Sequence, residues 1–268
     1  MPRHVAIGAA LIMACAVLNM GFIANHAEEL WKGRLVWRST SQDLIRPRVC
    51  VLVTGGNAVV LLAGLAETIE GDHAFSYGVF LADAFPLRLY QRLFPADTML
   101  QSLFVSGNES AVQALLFSAG LKGCAYYFVV NSRVTFCAAG WATALVSALR
   151  GLGPSLLGAV SPAECPECIF IHNVHRKIFL GQLHHPTDAC WAEWVRSVYG
   201  SCRMVQVGSA AVSGSGVQPC SELSPALESA GRLRIVKYAG PHCNRTRGHA
   251  ISSLVVDIRG TPRPLPPV

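Results

Sequence analysis

Residues 124–150 constrain the chain most. Cys124 opens two β-prone runs, Ala125–Val130 and Arg133–Phe136, around Asn131-Ser132, and Cys137 closes them. This is a hairpin pattern, although Asn-Ser lacks the glycine that the tightest turns prefer. The run Ala138–Leu149 carries Ala, Leu, Val and Trp141 with almost no polar face, so it predicts a helix buried on several sides. A cysteine-tied hairpin feeding a helix in need of cover is the expected centre; an ordinary core segment is the competing reading.

Composition asks what does the covering. The 268 residues are ample for a core, yet 51% are hydrophobic and only 14% charged, which is apolar for a soluble monomer. A membrane or a protein partner is expected to absorb the excess. Net charge is +6 with no Lys/Arg run, so nucleic acid is set aside as a partner. Met1-Pro-Arg-His4 followed by the uncharged, apolar Val5–Ala24 reads as a signal peptide over 1–27, with a signal anchor as the alternative. The expected organisation is that leader, one glycoprotein domain over 28–259 and a proline-rich tail over 260–268.

Cysteine usage agrees with a secretory address. Cys15 lies in the leader, leaving Cys50, Cys124, Cys137, Cys165, Cys168, Cys190, Cys202, Cys220 and Cys243. Nine cannot all pair within one chain, so a free thiol or an intermolecular bridge is expected. Cys165-Pro-Glu-Cys168 reads as a disulfide site, with half a zinc ribbon and a redox dithiol as alternatives; no second thiolate pair completes a zinc site. Asn108-Glu-Ser110 and Asn244-Arg-Thr246 are N-glycosylation sequons.

Further signals are weaker. Val49–Thr54 predicts a strand, Gly55-Gly-Asn57 a turn and Ala58–Ala66 a second apolar run, together a hairpin. Glycines after a strand also suit a phosphate loop, but neither G-x-G-x-x-G nor G-x-x-x-x-G-K-[ST] is present. Residues 81–119 read as successive helices, Asp188–Tyr199 as another, and Lys177–Leu180, Leu233–Tyr238 and Ile251–Ile258 as strands. Glu67, Glu70, Asp72 and Asp83 could include a glycosyltransferase-type metal carboxylate, yet there is no D-x-D; G-x-S-x-G and H-E-x-x-H are absent too. His184-His185 reads as a solvated turn. No catalytic, cofactor or metal residue is therefore assigned.

A helical segment opening with Asp83-Ala84-Phe85, Cys124 closing it, a short hairpin to Cys137, and Cys-Ala-Ala-Gly140 leading into an apolar helix resemble herpesvirus glycoprotein L of the cytomegalovirus type, over about residues 81–202. Only Cys50 precedes that segment, where the family carries a cysteine pair. The resemblance implies a non-enzymatic viral envelope subunit without cofactors. It would bind glycoprotein H as a heterodimer, reach the virion membrane and host cell surface through that partner, and support entry and membrane fusion. The expected fold is α+β, a single disulfide-bonded lumenal or extracellular domain with short hairpins packed on helices. Within it, a hairpin would bring Cys124 and Cys137 close enough to bridge. Cys50 is a candidate intermolecular thiol, and Trp31, Trp37 and Trp141 are candidate partner contacts. The alternatives are a type II membrane enzyme of the secretory pathway, glycosyltransferase-like, and a multi-span protein using Val49–Ala66 and Val134–Leu149.

Overall fold

The computed structural model describes residues 46–82, 87–105, 110–153, 155–179, 186–208, 212–214, 220 and 223–239. The leader, Trp31, Trp37, Asp83, Asn108, His184, His185, Cys243, Asn244, the strand expected at Ile251–Ile258 and the tail lie outside them.

Strand β1, Arg48–Thr54, is buried from Val49 to Val53, with no alternation of apolar and polar positions. A strand of that composition needs cover on both faces and suits the interior of a parallel sheet. That is where it lies. After β1 the chain forms helix α1 (Val59–Ile69), β2 (Ser76–Ala82), the short α2 (Leu87–Tyr90), β3 (Met99–Leu103), α3 (Ala111–Leu121) and β4 (Tyr126–Asn131). Val51 pairs in parallel with Val79 of β2 on one side and with Phe128 of β4 on the other. The hairpin expected from Val49 to Ala66 is thus a strand, a turn and a crossover helix, and the helix expected over Met99–Leu103 is a parallel edge strand.

The second predicted hairpin is also absent. β4 is a central strand, and β5 (Thr135–Phe136) leaves the sheet to pair with β9 (Val212–Ser213) in a separate ribbon. Helix α4 (Trp141–Gly151) follows, with Trp141, Ala142, Leu145, Val146 and Leu149 buried and the opposite side facing solvent. The chain then adds β6 (Ala159–Pro162), β7 (Ile169–His172), α5 (Asn173–Phe179), α6 (Trp191–Tyr199), β8 (Met204–Val207), β9 and α7 (Pro225–Ala239). β7 is antiparallel to β4 and to β6, and β8 is parallel to β6. One mixed seven-stranded sheet results, in the order β3-β2-β1-β4-β7-β6-β8.

Each face of the sheet has its own core. Val51, Phe128 and Phe170 face α1, β5 and α4; Leu52, Tyr127 and Ile171 face α3, α5, α6 and α7. The architecture is α/β and doubly wound, not an α+β domain of hairpins on helices. Trp141 is central to the first core: its ring stacks on Phe128 at 5.4 Å and lies 5.1 Å from Phe136. At 2% exposure it is a core residue and not a partner contact. Gly64 lets α1 approach β5, since a Cβ there would stand 2.8 Å from the Phe136 carbonyl oxygen.

Cysteine pairing follows the sheet. With Val49 opposite Tyr126, the chain entering β4 runs beside the start of β1, and Cys50 bridges to Cys124. Cys124 therefore does not pair with Cys137, which is an exposed free thiol. Cys50, fully buried, is no intermolecular thiol. Cys165 pairs with Cys168 across a turn closed by the Cys168 N–H donating to the Cys165 carbonyl at 2.9 Å, so neither is a zinc thiolate. Cys190 pairs with Cys220, and Cys202 is also disulfide-bonded.

Among the described residues no helix is long and apolar enough to cross a membrane. The two segments of the multi-span alternative each end in a helix of 11 residues, about 16 Å long against a hydrocarbon core of roughly 30 Å.

Candidate functional site

The strand order β3-β2-β1-β4 contains a reversal. From β1 the chain winds outward to β2 and β3, with α1 and α2 on one face, then crosses back over the other face through α3 to place β4 on the far side of β1. Connections leaving the carboxyl ends of β1 and β4 consequently diverge. Open α/β sheets place ligands in the crevice at such a point.

Two short turns form its walls. After β1 come Gly55, Gly56 and Asn57; Asn131 ends β4, and Ser132 and Arg133 follow it. The turns are tied together, as the Ser132 N–H donates to the Thr54 carbonyl at 2.8 Å and the Thr54 hydroxyl to the Val130 carbonyl at 3.3 Å. Gly55 has a φ of +84°, which favours glycine, and a Cβ there would approach Ser132 Oγ to 3.3 Å. Around Gly56 a Cβ would meet nothing within 4 Å, so this part of the mouth is open. Asn131 Oδ1 accepts from the Arg133 N–H at 2.8 Å, which shapes the turn that carries the exposed Arg133.

The electrostatics of the mouth are positive. Helices α1 and α4 both begin at this edge, and neither has an acidic residue in its first turn. Asn57 Oδ1 accepts from the Val59 N–H at 3.2 Å, and α4 starts from Gly140 without a side-chain cap. Their aligned peptide dipoles add partial positive charge at the edge whose β4 turn carries Arg133. Helix α3 is the contrast: Asp188 accepts from Ser110 Oγ at 2.6 Å and from the N–H groups of Ala111 and Val112 at 3.0 and 3.1 Å. That helix start already has its anion, supplied by the chain.

Of the carboxylates considered from sequence, Asp83 lies outside the described residues, and Glu67, Glu70 and Asp72 do not gather here. Glu67 and Glu70 are exposed at the far end of α1. Asp72 lies beyond them at the amino edge of the sheet, where it accepts from the Tyr77 hydroxyl and from the Ala74 N–H. Burial, and then Asp72, pushes the Tyr77 phenol far above its usual range. Among the described residues no group of three or more His, Cys, Asp or Glu is placed to hold a metal ion. His172 and His175, beside the cysteine pair in sequence, lie on opposite faces of the sheet, His172 on the first and His175 on the second. The His172 ring lies against Tyr126, and burial followed by Lys177 and Arg150 lowers its pKa to about 4. His175 is buried among Phe179, Trp191 and Trp194, with its Nδ1 2.7 Å from the Tyr199 hydroxyl.

No protein-family model matches the sequence, and no curated protein does either. Solved structures do match. Glucosyl-3-phosphoglycerate synthase from Mycobacterium tuberculosis, bound to phosphoglyceric acid, is similar at 11% identity and a TM-score of 0.47, over 75% of this chain and 82% of that one. A cytidylyltransferase from Leptospira borgpetersenii is similar at 7% identity and 0.44, over 62% and 77%. TarS from S. aureus is similar at 11% identity and 0.44, over 71% and 39%.

The sheet overturns the resemblance to glycoprotein L. The segment that carried it, 81–202, contributes β3, β4, β6 and β7 to one mixed sheet. The expected non-enzymatic, viral envelope subunit for entry and fusion falls with the fold on which it rested, and glycoprotein H loses its basis as the partner.

Proposed function

We propose that this domain is a nucleotide-sugar-dependent transferase of the secretory pathway, which holds the diphosphate of its donor between the carboxyl ends of β1 and β4. The observation that carries the reading is the pair of turns at the reversal of strand order, Gly55-Gly56 facing Asn131-Ser132-Arg133. Backbone can approach an anion closely at Gly56, and Arg133 supplies a planar cation suited to phosphate oxygens.

Transfer of a sugar leaves negative charge on the departing diphosphate. Donors fixed in advance at that position lower the barrier, because they need not reorganise as the charge develops. Arg133 and the backbone N–H groups of the glycine turn fill that role here. A hard divalent cation requires oxygen ligands, carboxylates above all. The β4 turn offers an amide, a hydroxyl and a guanidinium instead, so the donor set described here does not fit a metal, and no step is routed through one.

The compartment is part of the proposal. The disulfides Cys50–Cys124, Cys165–Cys168 and Cys190–Cys220 suit an oxidising lumen, as do the apolar leader and the two sequons. The test is turnover of a panel of uridine, guanosine and cytidine diphosphate sugars by the purified chain. One donor class should release its nucleotide, and Arg133→Ala should lower kcat/KM about 100-fold with the melting temperature unchanged. Absence of both turnover and binding across the panel would refute the reading.

A further inference from the structure

Basic residues that look scattered in the sequence gather at the amino edge of the sheet, opposite the crevice. There the Ala125 N–H donates to the Arg48 carbonyl at 2.9 Å and the Ala125 carbonyl accepts from the Asn173 N–H at 2.9 Å, so the starts of β1 and β4 and the end of β7 lie side by side. Arg48 Nη1 donates to the Lys122 carbonyl at 2.7 Å, at the end of α3. Arg176 runs alongside the last turn of the same helix, since a Cβ on Gly120 would stand 2.3 Å from its Nε. Lys177 follows it on α5, and Arg150 lies in the last turn of α4. Both Lys177 and Arg150 are near His172, the residue that ends β7: burial and then their charges lower its pKa.

Among the described residues no carboxylate forms an ion pair with Arg48, Lys122, Arg150, Arg176 or Lys177. The acids Asp72 and Asp97 precede β2 and β3, further along the same edge, and there Arg46 meets Asp97 at 3.0 Å. Helix ends account for some of the basic positions, because cations suit the carbonyl ends of α3 and α4. They do not account for the apolar side chains in the same place. Phe117 and Leu121, one turn apart on α3, are 55% and 69% exposed, and Lys122 follows Leu121 directly.

An apolar helix end bordered by cations without carboxylate partners is complementary to a lipid surface. Anionic headgroups attract the charges, and the boundary with the acyl chains receives the apolar side chains. We infer that the amino edge around the end of α3 is a docking face for a membrane containing anionic phospholipid, with Leu121 and Phe117 entering the bilayer interface and Lys122, Arg176, Lys177 and Arg150 set against the headgroups. A sulfated polysaccharide would engage the charges alone and leave Leu121 and Phe117 in water. Seated in this way, the domain turns the crevice between β1 and β4 away from the bilayer, since that crevice opens at the opposite edge. The inference is independent of the proposed catalytic site.

Flotation of the full chain with vesicles tests the inference, comparing pure phosphatidylcholine with phosphatidylcholine that contains about 30% phosphatidylserine. The leader is the same in every variant, so differences among variants read the docking face. The unaltered chain should bind the anionic vesicles at least about 10-fold more tightly than the neutral ones, and less so as salt is raised. Lys122→Glu with Lys177→Glu should remove that preference. Leu121→Ser with Phe117→Ser should weaken binding to the anionic vesicles about 10-fold while leaving the salt dependence in place, and both pairs should keep the circular dichroism spectrum of the unaltered chain. Equal binding to the two vesicles, a preference that the glutamate pair leaves intact, binding that the serine pair leaves unchanged, or capture by heparin without capture by either vesicle would overturn the inference.

Discussion

Gly55 and Ser132 face each other across the mouth of the crevice, close enough that a Cβ on Gly55 would stand 3.3 Å from the Ser132 hydroxyl oxygen. Gly55→Ala meets two penalties there, a φ of +84° and the Ser132 contact. The expected loss of stability is about 1–2 kcal/mol by urea denaturation. Nucleotide affinity should fall with it, read by calorimetry. Gly56→Ala, with nothing within 4 Å of its Cβ, should change stability by less than about 0.5 kcal/mol.

Gly64 gives a prediction of opposite sign to helix propensity. An exposed glycine-to-alanine change in a helix gains about 1 kcal/mol. At Gly64 the new Cβ would meet the Phe136 carbonyl oxygen at 2.8 Å, and that oxygen is backbone. Overpacking of this kind costs roughly 1–3 kcal/mol, so Gly64→Ala should destabilise. Gly120 in α3 is the control: the three atoms nearest a Cβ there all belong to the flexible Arg176 side chain, which can shift, and Gly120→Ala should be neutral or stabilising by the same denaturation measurement.

Asp188 holds the start of α3 from 77 residues away in sequence. Asp188→Ala removes the acceptor of two backbone N–H groups and of the Ser110 hydroxyl. A loss of about 1–2 kcal/mol is expected, with faster amide exchange at Ala111 and Val112 before the rest of the helix.

His172 sets a pH dependence. Its folded pKa of about 4 lies below that of a free imidazole, because protonation would place a charge in a partly buried site near Lys177 and Arg150. Its Nδ1 also accepts from the Val174 N–H at 3.3 Å, and protonation would remove that acceptor. As pH falls, the unfolded chain takes up the proton first. The contribution is therefore full above about pH 6.5 and is lost progressively towards pH 4, amounting to about 2–3 kcal/mol. His172→Phe, which retains a ring against Tyr126, should flatten this segment of the stability profile.

Individual elements were more legible in the sequence than their partners. The apolar run at Val49–Thr54 and the Trp191, Trp194, Val195, Val198 stripe both identify themselves. What neighbours β1 does not, because its parallel partners β2 and β4 lie a crossover or more away, and nothing local distinguishes a parallel strand from half of a hairpin. Two adjacent cysteines reinforced the wrong choice: Cys124 and Cys137 flank β4 and β5, but β4 pairs with β1 and so delivers Cys124 to Cys50. Short apolar runs also misled. Leu233–Tyr238 alternates like a strand, yet it is helical, and the adjacent Gly231 lets that helix seat against Val198 and Trp194. Lys177–Leu180 likewise reads as a strand, whereas Lys177 to Phe179 close α5. The candidate site was half visible: Gly55-Gly56 reads as a turn after a strand, but only the pairing of β1 with β4 brings Arg133 opposite it.

Photolabelling with an azido-substituted uridine diphosphate sugar, competed by the unmodified nucleotides and followed by peptide mapping, tests the nucleotide site most directly. Label is predicted on the peptides carrying residues 54–57 or 131–140, competed by nucleotide and reduced in Arg133→Ala. Label on other peptides, or label that nucleotides do not displace, would contradict a donor site between β1 and β4.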